Sequence, residues 1–314
     1  MISIDEKKVD HLMSIYKKDI EKQTREILRK LRTRLAGTRA RDQKAYINAL
    51  IDKGVALILA PRSDIAAFKT EFSHIKKITD SRADMAFKDA ILSDLGYSKL
   101  RTHFYPAYFN QLGIKSCVYC NSQLCVTAEG IGKNPTARYQ VDHFISKSEY
   151  PCLSIALFNL YPVCASCNNK KGTKRLLFEL YAEKAKSRKS PYSFSIENKD
   201  TTIAKYLSDR DRNVIKIRFD EPTALTGAHR LNDLFSIKGI YDTQIDIVEE
   251  LILKRHIYDA SYRSVLETTY PTLFPTGDKI IERLLVGNYT EEEELHLRPM
   301  AKFMQDIARQ LELI

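Results

Sequence analysis

Apolar residues recur along the start of the chain at Val9, Met13, Tyr16, Ile20, Ile27, Leu31 and Leu35, at spacings of three, four and seven. Side chains three and four apart share one face of an α-helix, so this spacing predicts a long amphipathic helix over residues 5–35. Helix is expected to continue through residues 42–60 and 63–95, with breaks near Gly54, Pro61 and Gly96. Between Cys117 and Gly172 the helical period gives way to cysteines, glycines and short β-like runs. Beyond it, Lys184–Lys189 has the basic, serine-containing texture of a linker, and Tyr192–Ile196 and Val214–Phe219 alternate as half-buried strands do. Helix then returns: Ile245, Val248 and Ile252 mark one face, Thr290 and Glu293 fit a capping box, and Pro299 suits the first turn of a final helix.

The pattern therefore predicts an α-rich α+β chain in three regions: helical over 1–110, cysteine-bearing over 111–185, and short strands followed by helices over 186–314.

Charge adds a partner class. Fifty Lys and Arg against forty Asp and Glu leave a formal charge of +10, which favours a polyanion, nucleic acid first. An inert basic surface is the alternative. The predicted first helix concentrates this charge at Lys22, Arg25, Arg29, Lys30, Arg32 and Arg34; such a run is either a solvated face or a phosphate contact, with Arg29 and Arg32 the contacts expected. The opening MISIDEKKVD lacks the apolar core of a signal peptide, and the longest uncharged stretch, Tyr150–Asn169, contains Pro151 and Pro162 and makes a poor membrane helix. These features predict a soluble, cytoplasmic protein with no membrane partner. In a reducing compartment six cysteines suggest metal binding before disulfides. The GxxxxGK[ST] phosphate loop is absent, so the sequence shows no ATP engine of its own.

Two cysteine pairs carry the strongest chemical signal, Cys117-Val-Tyr-Cys120 and Cys164-Ala-Ser-Cys167. Two residues between cysteines let a tight knuckle present both thiolates to one ion, and two knuckles complete a tetrahedral site for structural Zn²⁺. Cys125 and Cys152 are left over and read as apolar core residues. Between and beside the knuckles lie Asp142, His143, Asn159, Asn168 and Lys171. Hydrolysis of a phosphodiester needs a base to activate water, which neutral imidazole supplies near pH 7. It also needs a divalent cation, and a carboxylate with a side-chain amide suits Mg²⁺ or Mn²⁺. Adjacent Asp142 and His143 on a strand would point to opposite faces, so a twisted or distorted strand end is needed for both to serve one site. Separately, each residue has a plainer reading: Asn159 and Asn168 as turn and cap residues, Lys170, Lys171 and Lys174 as solvated surface.

Asp-His, then an Asn, then Cys-x-x-Cys-Asn followed by Lys and Gly, resembles the HNH (ββα-metal) endonucleases with a zinc-ribbon clamp. The resemblance covers Cys117 to Gly172 and implies a β-hairpin closed by a helix around one catalytic cation. It implies His143 as general base, Asp142 and Asn168 as cation ligands, Asn159 as the residue that holds the histidine's loop, and Lys171 near the scissile phosphate. Lys147, Lys170 and Lys174 would touch nucleic acid, DNA favoured over RNA. Two departures stand out: Asn168 where many relatives have His, and Ser146 where many have Pro. More narrowly, Asp142–Tyr150 with Pro151, Ser190-Pro-Tyr192, and Gly287-Asn-Tyr with Arg298-Pro-Met-Ala-Lys302 are similar to Septu-type and retron-associated anti-phage HNH effectors, which work with a partner ATPase. The expected function is thus a metal-dependent endonuclease in anti-phage defence. Its competitors are an RNase with the same site, a non-catalytic zinc module, and a subunit inert without its ATPase.

Overall fold

A computed structural model describes residues 1–73, 82–129, 135–183, 190–222, 230–275 and 279–314. The basic 184–189 run lies outside the described residues.

The protein is helix-rich, with four small two-stranded sheets among the described residues, an α+β mixture. The predicted first helix forms as two, Glu6–Ile15 and Lys17–Gly37, interrupted at Tyr16 and running two residues past the expected end. At the interruption the Tyr16 ring packs edge-on against Phe104 and Tyr108. Of the positions in the pattern, Val9, Ile20, Ile27 and Leu31 are buried and Met13, Tyr16 and Leu35 are half-buried against the same core, with Leu12 buried beside them. Shorter helices follow at Arg41–Lys53, Ala56–Leu59, Ile65–Glu71, Arg82–Leu95, Tyr97–His103 and Tyr105–Gln111, so 42–60 and 63–95 are more fragmented than their periodicity suggested. Gly54, at φ 52°, and Gly96, at φ 72°, end two of them in the left-handed half of backbone space.

Strands β1 (Ile4–Asp5), β2 (Thr127–Glu129), β3 (Pro135–Ala137), β4 (Gln140–His143), β5 (Leu160–Val163), β6 (Tyr181–Ala182), β7 (Ser193–Ile196) and β8 (Ile217–Asp220) pair two by two. Parallel β1–β6 ties the start of the chain to the segment beyond the second cysteine pair. β4 and β5 form an antiparallel ribbon in which Asp142 faces Tyr161 and His143 faces Leu160. The helix Ala165–Lys171 follows β5 directly, with Cys164 at its N-cap, giving the β–β–α order over this segment.

In the last region β7 and β8 pair with Phe194, Ile196, Ile217 and Phe219 buried. β8 begins later than the alternation predicted, because Arg212–Val214 is taken up by a 3₁₀ turn. The final helix, Ala301–Gln310, serves the open edge of β7: Gln310 accepts from Ile196 N and donates to Ile196 O, and Asp306 accepts from Phe194 N at 3.0 Å. Those bonds meet the pairing demand of an edge strand. Pro299 precedes this helix, whose N-cap is Met300, and the expected Thr290–Glu293 capping box is replaced by a single 3₁₀ turn at Glu292–Glu294 capped by Glu291 without a side-chain bond. Most buried apolar residues from Met1 to Leu313 join in one core, and Ile2, Leu295 and Ala301 form a small second cluster. No helix among the described residues is long and apolar enough to cross a membrane.

Candidate functional site

The four knuckle cysteines converge. Their sulfurs all lie within 4.8 Å of one another, with Cys117, Cys120 and Cys167 buried and Cys164 half-buried. Two local folds set this up. After the first pair, Asn121 at φ 54° turns the chain back so that its N–H donates to Cys117 O at 2.8 Å. In the second, the N-cap position of Cys164 and the first-turn position of Cys167 put both sulfurs on one side of the helix start. Sulfurs at the corners of a tetrathiolate zinc site stand roughly 3.8 Å apart, so a cluster this tight fits a tetrahedral metal ion. The four thiols hydrogen-bond to one another; these bonds, with burial, push Cys164 and Cys167 up, while the same bonds pull Cys120 down. Cys125 and Cys152 are fully buried and stand outside this cluster, as expected.

His143 ends β4 with only 7% of its surface exposed. Its Nε2 lies 2.9 Å from Ser154 O, a carbonyl that can only accept, so the ring proton belongs on Nε2 and the lone pair on Nδ1. The Tyr97 ring packs beside the imidazole at 4.9 Å between centroids, and the Tyr97 hydroxyl donates to Val141 O at 3.2 Å. Burial, aided by the charges of Lys147 and Lys171, lowers the His143 pKa to about 3, against the Ser154 hydrogen bond that raises it. The imidazole is therefore neutral at physiological pH. That is the state a base requires.

Asn159 fixes the loop that follows. Buried at the end of a 3₁₀ turn, it accepts from Ile145 N at 2.7 Å and donates to Ile145 O at 3.0 Å and Leu153 O at 2.9 Å. Its own carbonyl accepts from Phe144 N at 2.9 Å.

Asp142 and Gln140 lie on the opposite face of β4 from His143, toward the Ala165–Lys171 helix. The alternation thus persists, yet Asp142, His143 and Asn168 line one cleft of about 360 Å³ together with Tyr97, Arg101 and Lys147. The cleft takes in Gln140 to His143 without a skip. Asn168 donates its Nδ2 to Gln140 Oε1 at 2.5 Å, which leaves Oδ1 as the oxygen a cation would take. Asp142 is more occupied: Tyr119 donates to Oδ2 at 2.5 Å, and Lys171 Nζ stands 3.2 Å from Oδ1 and 3.1 Å from Oδ2. Burial raises its pKa, while Lys171 and Tyr119 hold it down.

The basic residues divide. Lys171 is 1% exposed and its ammonium also donates to His143 O at 2.8 Å, so it is turned inward behind Asp142 and does not present its charge at the cleft. Lys147 lines the cleft with its ammonium 4.3 Å from the Tyr97 ring centroid. Lys170 and Lys174 are exposed on and just past the Ala165–Lys171 helix, and Arg29 and Arg32 are exposed on the Lys17–Gly37 helix; none of these four lines the cleft. Arg101 does, and sequence reasoning missed it along with Tyr97, Tyr119 and Ser154. The spacing of Tyr97 and Arg101, one helical turn apart, was the available signal for two of them.

Gly172, at φ 52°, stops the helix in the cleft wall, a backbone state other residues enter at a cost.

Neither a protein-family model nor a solved structure matches the chain. A stretch of 64 residues is 36% identical to the Septu protein PtuB of Bacillus thuringiensis, covering 20% of this chain and 21% of that protein. The chain thus matches about a fifth of the length of that relative.

Proposed function

We propose that the protein is a metal-dependent endonuclease of the HNH type that acts in anti-phage defence. The observation that carries this reading is the meeting of His143, Asp142 and Asn168 in one cleft, with His143 Nε2 committed to Ser154 and Nδ1 left as the base. The likeness to the Septu protein PtuB supports the defence context, and a partner protein such as an ATPase fits the missing phosphate loop.

In this reading Cys117, Cys120, Cys164 and Cys167 hold structural zinc, which fastens β5 and its helix to the first knuckle. The Asp142 carboxylate and Asn168 Oδ1 hold Mg²⁺ or Mn²⁺, hard cations that prefer oxygen ligands. When bound, that ion supplies Lewis-acid stabilisation of the charge that builds on phosphate and leaving oxygen. His143 Nδ1 takes a proton from water, whose oxygen bonds to phosphorus as the bond from phosphorus to the 3′-oxygen breaks. Asn159 holds the His143 loop through Ile145, and Ser154 fixes the tautomer. Arg101 and Lys147 face the cleft where a phosphate backbone would pass, giving affinity without reading sequence.

The test is cleavage of supercoiled plasmid and of total tRNA with Mg²⁺ or Mn²⁺, comparing the protein with His143→Ala at equal zinc content. Cutting by the wild type alone supports the reading, and the substrate cut decides DNA against RNA. Equal cutting by both removes His143 as the base.

A further inference from the structure

We propose that Lys171 is a built-in counter-charge to Asp142, so that the catalytic cation binds together with a nucleic-acid phosphate and not to the free protein. This rests on the nuclease reading above and concerns how its cation site is filled.

Three observations carry it. Both Asp142 oxygens are engaged, Oδ1 by Lys171 at 3.2 Å and Oδ2 by Lys171 at 3.1 Å and Tyr119 at 2.5 Å. Lys171 cannot swing away to make room, because it is 1% exposed and tied to His143 O at 2.8 Å. Asp142 is also the only carboxylate among the described residues that line the cleft, where Arg101 and Lys147 add two positive charges and Asn168 is neutral.

A divalent ion approaching the free site therefore meets no net negative charge. The ammonium and the incoming cation would stand at comparable distances from the same carboxylate, so repulsion from one offsets attraction to the other. A phosphodiester restores the balance: its non-bridging oxygens bring negative charge and hard ligands to the positive cleft. Cation and phosphate then bind as a pair. By linkage, each must raise the other's affinity by the same factor.

The experiment uses the zinc-loaded full chain carrying His143→Ala, so that nucleic acid stays intact. Free Mn²⁺ is followed by its EPR signal with and without a short DNA duplex or RNA hairpin, and binding that survives Asp142→Asn is subtracted. Nucleic-acid affinity is measured with and without Mn²⁺. The expected result is Asp142-dependent Mn²⁺ binding that strengthens about tenfold or more with nucleic acid, and a matching gain in nucleic-acid affinity. Lys171→Met, or Lys171→Gln if the first loses zinc, should strengthen Mn²⁺ binding to the free protein by a similar factor. Should both variants lose zinc, the reciprocal affinities in the protein retaining Lys171 decide. Asp142-dependent binding equally tight with and without nucleic acid overturns the counter-charge and leaves the nuclease reading standing. Absence of Asp142-dependent binding under every condition, Lys171 variants included, overturns both.

Discussion

Asn159 and Ile145 are joined by a reciprocal pair of hydrogen bonds, N–H to side-chain oxygen at 2.7 Å and side-chain nitrogen to carbonyl at 3.0 Å. With Leu153 O as a third partner, one buried amide meets the backbone needs of the loop just beyond His143. Asn159→Ala would leave the buried Leu153 carbonyl and the half-buried Ile145 groups unpaired, at a cost of about 1–3 kcal/mol. Asn159→Asp should be worse, since it turns a donor into a charged acceptor facing two carbonyls. Both variants are expected to lose cleavage activity at least about tenfold by misplacing the base. Chemical denaturation and cleavage rates measured together check this; a stable Asn159→Ala protein with full activity would show that the loop holds itself.

The cysteine quartet leads to a second prediction. Plasma emission spectrometry should find one zinc per chain, and removing it with a strong chelator should abolish cooperative unfolding, because the site ties together segments more than forty residues apart. Serine at Cys117 or Cys167 should do the same. Alanine at Cys152 should retain zinc and cost packing and the thiol's hydrogen bond with Tyr46, since that thiol lies outside the cluster. Zinc loss on Cys152→Ala would require a different ligand set.

The parts legible in the sequence were those whose partners lie close by in the chain or follow a fixed chemical spacing. The two Cys-x-x-Cys pairs specify their own geometry, and the step from β5 into a helix follows from the second pair's N-cap position. Distant partners were not legible. Tyr97 and Arg101 reach the cleft from a helix some forty residues before His143, and nothing near Asp142 in sequence announces Tyr119 as its hydrogen-bond donor. Lys171 shows the limit most clearly: its position in the motif suggested a cation near the scissile phosphate, whereas its helical turn aims it inward at Asp142. The break at Tyr16 was not legible either, and neither was the packing of that ring against Phe104 and Tyr108, which local periodicity does not show.

Acid should weaken the fold through buried neutral histidines. Burial first, and neighbouring positive charge second, bring His296 as well as His143 to a pKa of about 3. In the unfolded chain each titrates near 6.5. Below that value the unfolded state binds protons that the folded state refuses, so stability is full above pH 6.5 and declines as pH falls toward 3. The slope is about 1.4 kcal/mol per pH unit for each such group. His296→Gln keeps a donor for Ile2 O, which lies 2.7 Å from Nε2, and removes the titration. Denaturation between pH 7 and pH 5 should give a shallower decline in this variant by about that slope; parallel curves would mean that His296 is protonated in the fold.

Salt should separate the cleft cations from the exposed ones. If nucleic acid runs through the cleft, Arg101 and Lys147 each neutralise a phosphate, whereas Arg29 and Arg32 stand on a helix that does not line it. Removing one cation that neutralises a phosphate lowers the slope of log affinity against log salt by about 1. Arg101→Ala and Lys147→Ala should therefore each flatten the slope by about that amount and weaken binding without regard to sequence. Lys147→Ala also removes the ammonium from the Tyr97 ring, so Lys147→Met, which keeps the apolar stem, tells charge from packing. The double variant Arg29→Ala, Arg32→Ala should leave the slope nearly unchanged. A slope that depends on Arg29 and Arg32 but not on Arg101 would move the nucleic-acid track off the cleft and onto the Lys17–Gly37 helix, and would count against His143 as the base.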